Sequence, residues 1–261
     1  MSVSHAKTSR NGRVKPAPGV AFYTLEGTLT GQNLMHAVLY ILGNLGELHR
    51  RVITLASLAL RFPGMYMADD PTILSGALLE SLKNVSADRL GEIGLEYCER
   101  VLSRRLFPAA INLLEANRKA GIEPVLLTTL PSVIAAPLCR RLEIADFAAS
   151  RLIIARNRAT GRVAGPLMIA DHKAEWCAEY AGAHDLDARG CWAYADSFSD
   201  LPFLASVGHP VAVNPDRNLY AAAMGRQWPI LRFEKSIEHE SDEVSRADIL
   251  EFSGGPADGS S

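Results

Sequence analysis

Nothing in this sequence is long and apolar enough to suggest a membrane span, and no charge of one sign dominates it. The formal net charge is -2 and the pI is near 6.4, which leaves no general field for nucleic acid or an anionic bilayer, so any anion site has to be local. Cysteine is scarce: Cys98, Cys139, Cys177 and Cys191 stand apart without a C-x-x-C pair. That scatter fits reduced thiols in a cytoplasmic setting and argues against both a disulfide frame and a zinc site. The chain shows no internal repeat. With 48% apolar and 21% charged residues over 261 positions, it can bury a large core, and one main domain carrying an insertion is expected.

The N-terminal residues 1–18, polar and basic with no apolar centre, read as a disordered leader rather than a signal or anchor. Residues 234–261 turn acidic and then to SGGPADGSS, a composition that buries too little apolar surface to order itself.

Val20 to Thr24 reads as a buried strand that runs into a loop at Glu26-Gly27. From Asn33 to Arg105 the periodicity is helical, with apolar stretches broken by Gly43, Gly46 and Pro63-Gly64. After Pro108 a helix ending at Gly121 leads to the strand PVLLTT and a helix opening at Pro131. Two short strands, RLIIAR and RVAGPL, are expected to form a hairpin turning at Ala159-Thr160-Gly161. A helix from Asp171 to Gly182, the strand CWAYA, a helix over Asp200–Ala205, the strand PVAVN, a helix after Pro215 and a strand WPILRF follow. This order predicts an α/β fold with a doubly wound, mostly parallel sheet. The core would comprise residues 19–32 and 106–233, with an all-helical cap over 33–105 inserted after the first strand.

Four short sequences fall at or beside strand ends: TLEGTLT from Thr24, LLTT ending at Thr129, Lys173, and ADSFSD from Ala195 to Asp200. In order they resemble the four motifs of the haloacid dehalogenase superfamily. The segments VAFYTLEGTLT, VLLTTLPSVIAAPL, TGRVAGPL and AYADSFSDLPFLASVGHPVAVNPDRNL are similar to those of its subfamily IB, which contains phosphoserine phosphatase. The likeness spans roughly Gly19 to Phe233 and implies a Rossmann-like, magnesium-dependent phosphatase scaffold. It also implies roles. Thr128 matches the phosphate-binding Ser or Thr, with Thr129 and Gly27 beside it, and Lys173 matches the cation that offsets phosphate charge. Asp196 and Asp200 match the acidic metal positions, with Glu26 contributing its backbone carbonyl.

The chain departs from that family at its first motif. The family uses an aspartate to attack phosphorus and a second, two residues on, as acid and base; here those places hold Thr24 and Glu26. A threonine hydroxyl is neutral near pH 7 and needs a base to become a nucleophile, whereas a carboxylate is already ionised. Thr24 also takes one hard anionic oxygen from a Mg²⁺ site, and Glu26 sets its carboxylate one methylene further out. The expectation is a phosphatase-like protein, a pseudoenzyme, that binds a phosphorylated small molecule and turns over little. The alternative is an active phosphomonoester hydrolase using Glu26 and metal-bound water, on a lipid phosphate or a phosphoserine-like substrate.

Plainer readings compete at each position. Asp196 and Asp200 could be helix-capping carboxylates, Thr128 and Thr129 simple strand-end residues, and Lys173 a solvated helix residue. The apolar helices between Leu34 and Leu60 also resemble the phosphatase-like domain found ahead of some glycerolipid acyltransferases, which leaves peripheral lipid contact open. His36, Asn44, Glu47, His49, Arg50 and Arg51 interrupt them, so no run approaches the ~20 apolar residues of a span. GNLGEL at Gly43 and GEIGLEY at Gly91 lack the strand-to-helix setting of a dinucleotide loop. Oligomeric state is not legible.

Overall fold

The computed structural model describes residues 19–46, 56, 60 and 71–233. The expected leader, the acidic tail and the middle of the helical insertion, with the stretch VITLASLAL mostly in it and His49, Arg50 and Arg51, lie outside the described residues.

Strand β1 (Gly19–Thr24) is buried at all six positions, because it lies at the centre of a sheet covered on both faces. Alternate side chains point to opposite sides of a strand. Ala21 and Tyr23 accordingly join one apolar cluster, while Val20 and Phe22 join the other. Pairing with β1 on one side is β2 (Ile122–Pro131), followed by β3 (Asp146–Ser150). On the other side stand β6 (Trp192–Ala195), β7 (His209–Val213) and β8 (Ile230–Leu231). The order is β3-β2-β1-β6-β7-β8, and each adjacent pair of strands in this sheet runs parallel. The chain thus leaves β1 in one direction and later returns to its other side. Sheets of this kind bind ligands where the strand order reverses, which here is beyond the carboxyl ends of β1, β2 and β6.

Helices cover both faces. Helices α1 (Leu34–Gly43), α2 (Pro71–Glu80), α3 (Ala87–Arg100), α4 (Pro108–Lys119) and α5 (Ser132–Arg141) pack with the Tyr23 side. Helices α6 (Asp171–Ala183), α7 (Leu201–Ala205) and α8 (Arg217–Arg226) cover the Phe22 side. Among the described residues, none of these helices is long and apolar enough to cross a membrane.

The insertion between β1 and β2 shares its apolar core with the sheet. Leu34, Val38 and Ile41 of α1 and Leu90, Ile93 and Tyr97 of α3 are in the same buried cluster as Leu126, Leu130 and Ile134. Helix α3 crosses α5 closely at Gly94, where an added Cβ would sit 2.8 Å from the Val133 carbonyl oxygen. His36 is engaged locally: its backbone N–H donates to Asn33 Oδ1, and its Nδ1 accepts from the Asn33 N–H, a reciprocal helix cap.

Two sequence expectations need correction. The hairpin β4 (Leu152–Ala155) and β5 (Arg158–Val163) exists, but it turns at Arg156-Asn157, both at positive φ (49° and 58°), and not at Ala159-Thr160-Gly161. Asn tolerates the left-handed region, and the expected turn residues instead lie within β5, with Ala159 opposite Ile154. Ala159 exchanges backbone hydrogen bonds with Asn84 and Val85, which ties the hairpin to the α2–α3 junction. Strand β3, DFAAS, was not expected at all. It is an edge strand with only two fully buried residues, so it lacks the apolar run that marks the central strands.

Candidate active site

Thr24 ends β1 and is 1% exposed. Its Oγ1 lies 2.6 Å from Thr28 Oγ1 and donates to the Tyr194 carbonyl oxygen at 3.3 Å. With its proton turned back into the sheet, Thr24 accepts from Thr28. Neither partner is a base strong enough to activate a hydroxyl. The loop beyond folds back through Leu29 N–H to Leu25 O (3.0 Å) and Gly27 N–H to Thr30 O (2.8 Å). Gly27 has φ +71°, and a Cβ there would fall 1.7 Å from Asp196 Oδ2. The Asp196 carboxylate therefore rests on the Gly27 backbone, which only glycine allows.

Glu26 reaches across to β2. Its Oε1 accepts from Thr128 Oγ1 (2.8 Å), Thr129 N–H (3.0 Å) and Thr129 Oγ1 (2.6 Å). A register shift against β3 between Leu127 and Pro131 aims these donors, since a bulge bends its strand and redirects side chains. Thr128 Oγ1 also accepts from the Leu130 N–H at 3.1 Å, and α5 begins just beyond. Thr128 is fully buried, whereas Thr129 and Glu26 remain partly exposed.

Lys173, in the first turn of α6, is buried and meets Asp200. Its Nζ donates to both carboxylate oxygens, at 2.7 and 2.8 Å, with the side chains 9% and 2% exposed. Burial pushes the Asp200 carboxyl up and the Lys173 ammonium pulls it down. Two short contacts to one ammonium are the geometry of an ionised pair. Asp196, just past β6, is pushed up to about 7 by burial first and by Asp200 second, with Lys173 opposing.

The fold thus brings the sequence-selected residues to one end of the sheet: Thr24 at the end of β1, Thr128 and Thr129 on β2, Asp196 just past β6. It distributes their contacts differently from the expected roles. The hydroxyls expected at a phosphate are bonded to Glu26, and the lysine expected there is bonded to Asp200. Among the described residues, no three His, Cys, Asp or Glu side chains form a group able to hold a metal. Magnesium requires octahedral oxygen ligation. With Thr24 uncharged and both Asp200 oxygens on Lys173, the Asp196 carboxylate and the Glu26 backbone carbonyl are what remain of the expected donors, a sparse set for that ion.

Sequence reasoning missed three contributors. Thr28 shares the Thr24 hydroxyl bond. Asn214, at φ 45° past β7, donates from Nδ2 to the Gly27 carbonyl (3.1 Å) and accepts from the Phe233 N–H (2.6 Å). Asp216 accepts from the Phe198 N–H at 2.7 Å and caps α8, while its own N–H reaches the Asp196 carbonyl. An Asn at a strand end was the available signal for Asn214, but its partner is remote in sequence.

Residues 21–205 match the family model of haloacid dehalogenase-like hydrolases. A Mycobacterium tuberculosis protein named as a probable phosphatase is 33% identical over 137 residues, 52% of this chain and 47% of that protein. A phosphoserine phosphatase of the same organism is 29% identical over 155 residues, 59% of this chain and 50% of its own length. The matches therefore span about half of these relatives. The crystal structure of a probable phosphoserine phosphatase from Vibrio cholerae superposes with a TM-score of 0.64 at 18% identity, over 83% of this chain and 61% of that one. At that identity the likeness concerns the fold.

Proposed function

From the premise that the chain belongs to the haloacid dehalogenase-like hydrolases, we propose that it binds a phosphorylated small molecule at the carboxyl end of its sheet and hydrolyses it poorly. One observation carries this reading. The group at the attacking position is the buried, neutral Thr24 hydroxyl, whose hydrogen bonds run to Thr28 and to the Tyr194 carbonyl. In-line displacement at phosphorus needs an ionised oxygen or a base to make one, and Thr24 has neither as a hydrogen-bond partner. An ester formed on Thr24 would also be an ordinary phosphate ester, slower to hydrolyse than an acyl phosphate.

Binding is supported by Thr128 and Thr129, which present two hydroxyls and a backbone N–H to one point. The competing mechanism, with Glu26 and metal-bound water, draws on a carboxylate that is already committed to three donors.

The test is a phosphomonoester panel with Mg²⁺ on the wild type and on Thr24→Asp/Glu26→Asp. The double variant should exceed the wild type by about 10³-fold or more, the scale on which loss of a nucleophile acts. Wild-type turnover at about 1 s⁻¹ or above, with no gain on restoration, would overturn the proposal.

A further inference from the structure

The donors that converge at the end of β2 are not waiting for an anion; they hold one. Glu26 Oε1 takes the Thr128 hydroxyl, the Thr129 hydroxyl and the Thr129 N–H at 2.6 to 3.0 Å, the surroundings that an oxygen of a bound phosphate would use. We propose that Glu26 is the resident occupant of its own anion cradle, so that an incoming phosphate group binds only by displacing this carboxylate. The inference rests on the reading of this end of the sheet as a phosphate site and adds what controls entry to it.

Three features support occupancy over simple proximity. All three bonds fall on one oxygen, and hydrogen bonds to an ionised acceptor are roughly twice as strong as neutral ones. The strand bulge points both threonines towards residue 26, and Thr128 is fully buried with its oxygen also accepting from Leu130 N–H. Glu26 itself stays partly exposed, so its side chain can swing out to water without unpacking the core. Length matters as well. An aspartate at this position would draw the oxygen back by about 1.5 Å, one carbon–carbon bond, beyond hydrogen-bond reach of the complete donor set. The extra methylene is what lets this side chain span from the first loop to β2.

Displacement and plain charge repulsion make different predictions for a variant that keeps the charge and loses the reach. Binding of inorganic phosphate by titration calorimetry should compare the wild type with Glu26→Ala, Glu26→Gln and Glu26→Asp. Occupancy requires that Glu26→Ala and Glu26→Asp both bind phosphate about tenfold or more tighter, the worth of one charge-assisted bond no longer displaced. Adding Thr129→Val to Glu26→Ala should cancel most of that gain. If Glu26→Ala gains and Glu26→Asp equals the wild type, the effect is charge alone and the proposal falls. It falls equally if both folded variants bind no tighter than the wild type. Should Glu26→Ala fail to fold, Glu26→Asp decides alone: tighter binding than the wild type upholds occupancy, and no gain overturns it. Inorganic phosphate is not consumed, so the comparison stands whatever the turnover, whereas rapid wild-type hydrolysis would sink the functional proposal alone.

Discussion

Replacing Lys173 by methionine is the most informative single change to stability. Lys173 and Asp200 are buried together, with side chains 9% and 2% exposed and two Nζ–oxygen contacts at 2.7 and 2.8 Å. Methionine conserves most of the stem, so the packing loss is small and the change is mainly electrostatic. It leaves the Asp200 carboxylate buried without its cation. Removing one partner of a buried ion pair costs about 3–5 kcal/mol. For a protein of this size each kcal/mol shifts Tm by about 2–4 °C, so the variant should melt roughly 6–20 °C lower. The double variant Lys173→Met/Asp200→Asn removes the orphaned charge and should recover most of the loss. That recovery separates an uncompensated charge from a packing defect. Calorimetry and urea unfolding at pH 7 on the wild type, both single variants and the double variant complete the cycle. A loss below about 1 kcal/mol, the range of exposed pairs, would refute the claim that this pair is desolvated.

Two further outcomes follow from packing and burial. Gly94→Ala should gain about 1 kcal/mol from helix propensity alone, but its Cβ would lie 2.8 Å from a backbone oxygen that cannot rotate away. Separating α3 from α5 costs about 1–3 kcal/mol, so urea unfolding should show a net loss, and a gain would mean that the two helices part freely. Burial also holds the Cys139 thiol up to about 12, and the Tyr97 and Tyr194 phenols up to about 12. Unfolded Cys and Tyr ionise from about pH 8.5 and 10, so above these values the unfolded chain binds fewer protons than the folded one. The contribution of these groups is therefore full below about pH 8.5 and is lost as pH rises towards 12, separately from the loss that the raised Asp196 carboxyl completes by about pH 7. Denaturation curves unchanged from pH 8 to 11 would contradict this.

By itself the sequence determined the central strands and the helices between them, the parallel α/β class, and that β1 and β6 end at Thr24 and Ala195; β2 runs on to Pro131, past the expected end at Thr129. The legible elements follow from local pattern. A fully buried strand needs a continuous apolar run, as in GVAFYT, and helices need their 3.6-residue period. It also determined that no aspartate stands at Thr24. The tertiary structure alone decided the partners. Glu26 and Thr128 are separated by 102 positions and meet because β1 and β2 pair in parallel. Lys173 turns to Asp200 rather than outwards because both are enclosed, and a buried ammonium must find an anion. The short edge strand β3 and the Arg156-Asn157 turn also escaped the pattern. An edge strand buries too little to show an apolar run, and a turn is set by which residues pair across it.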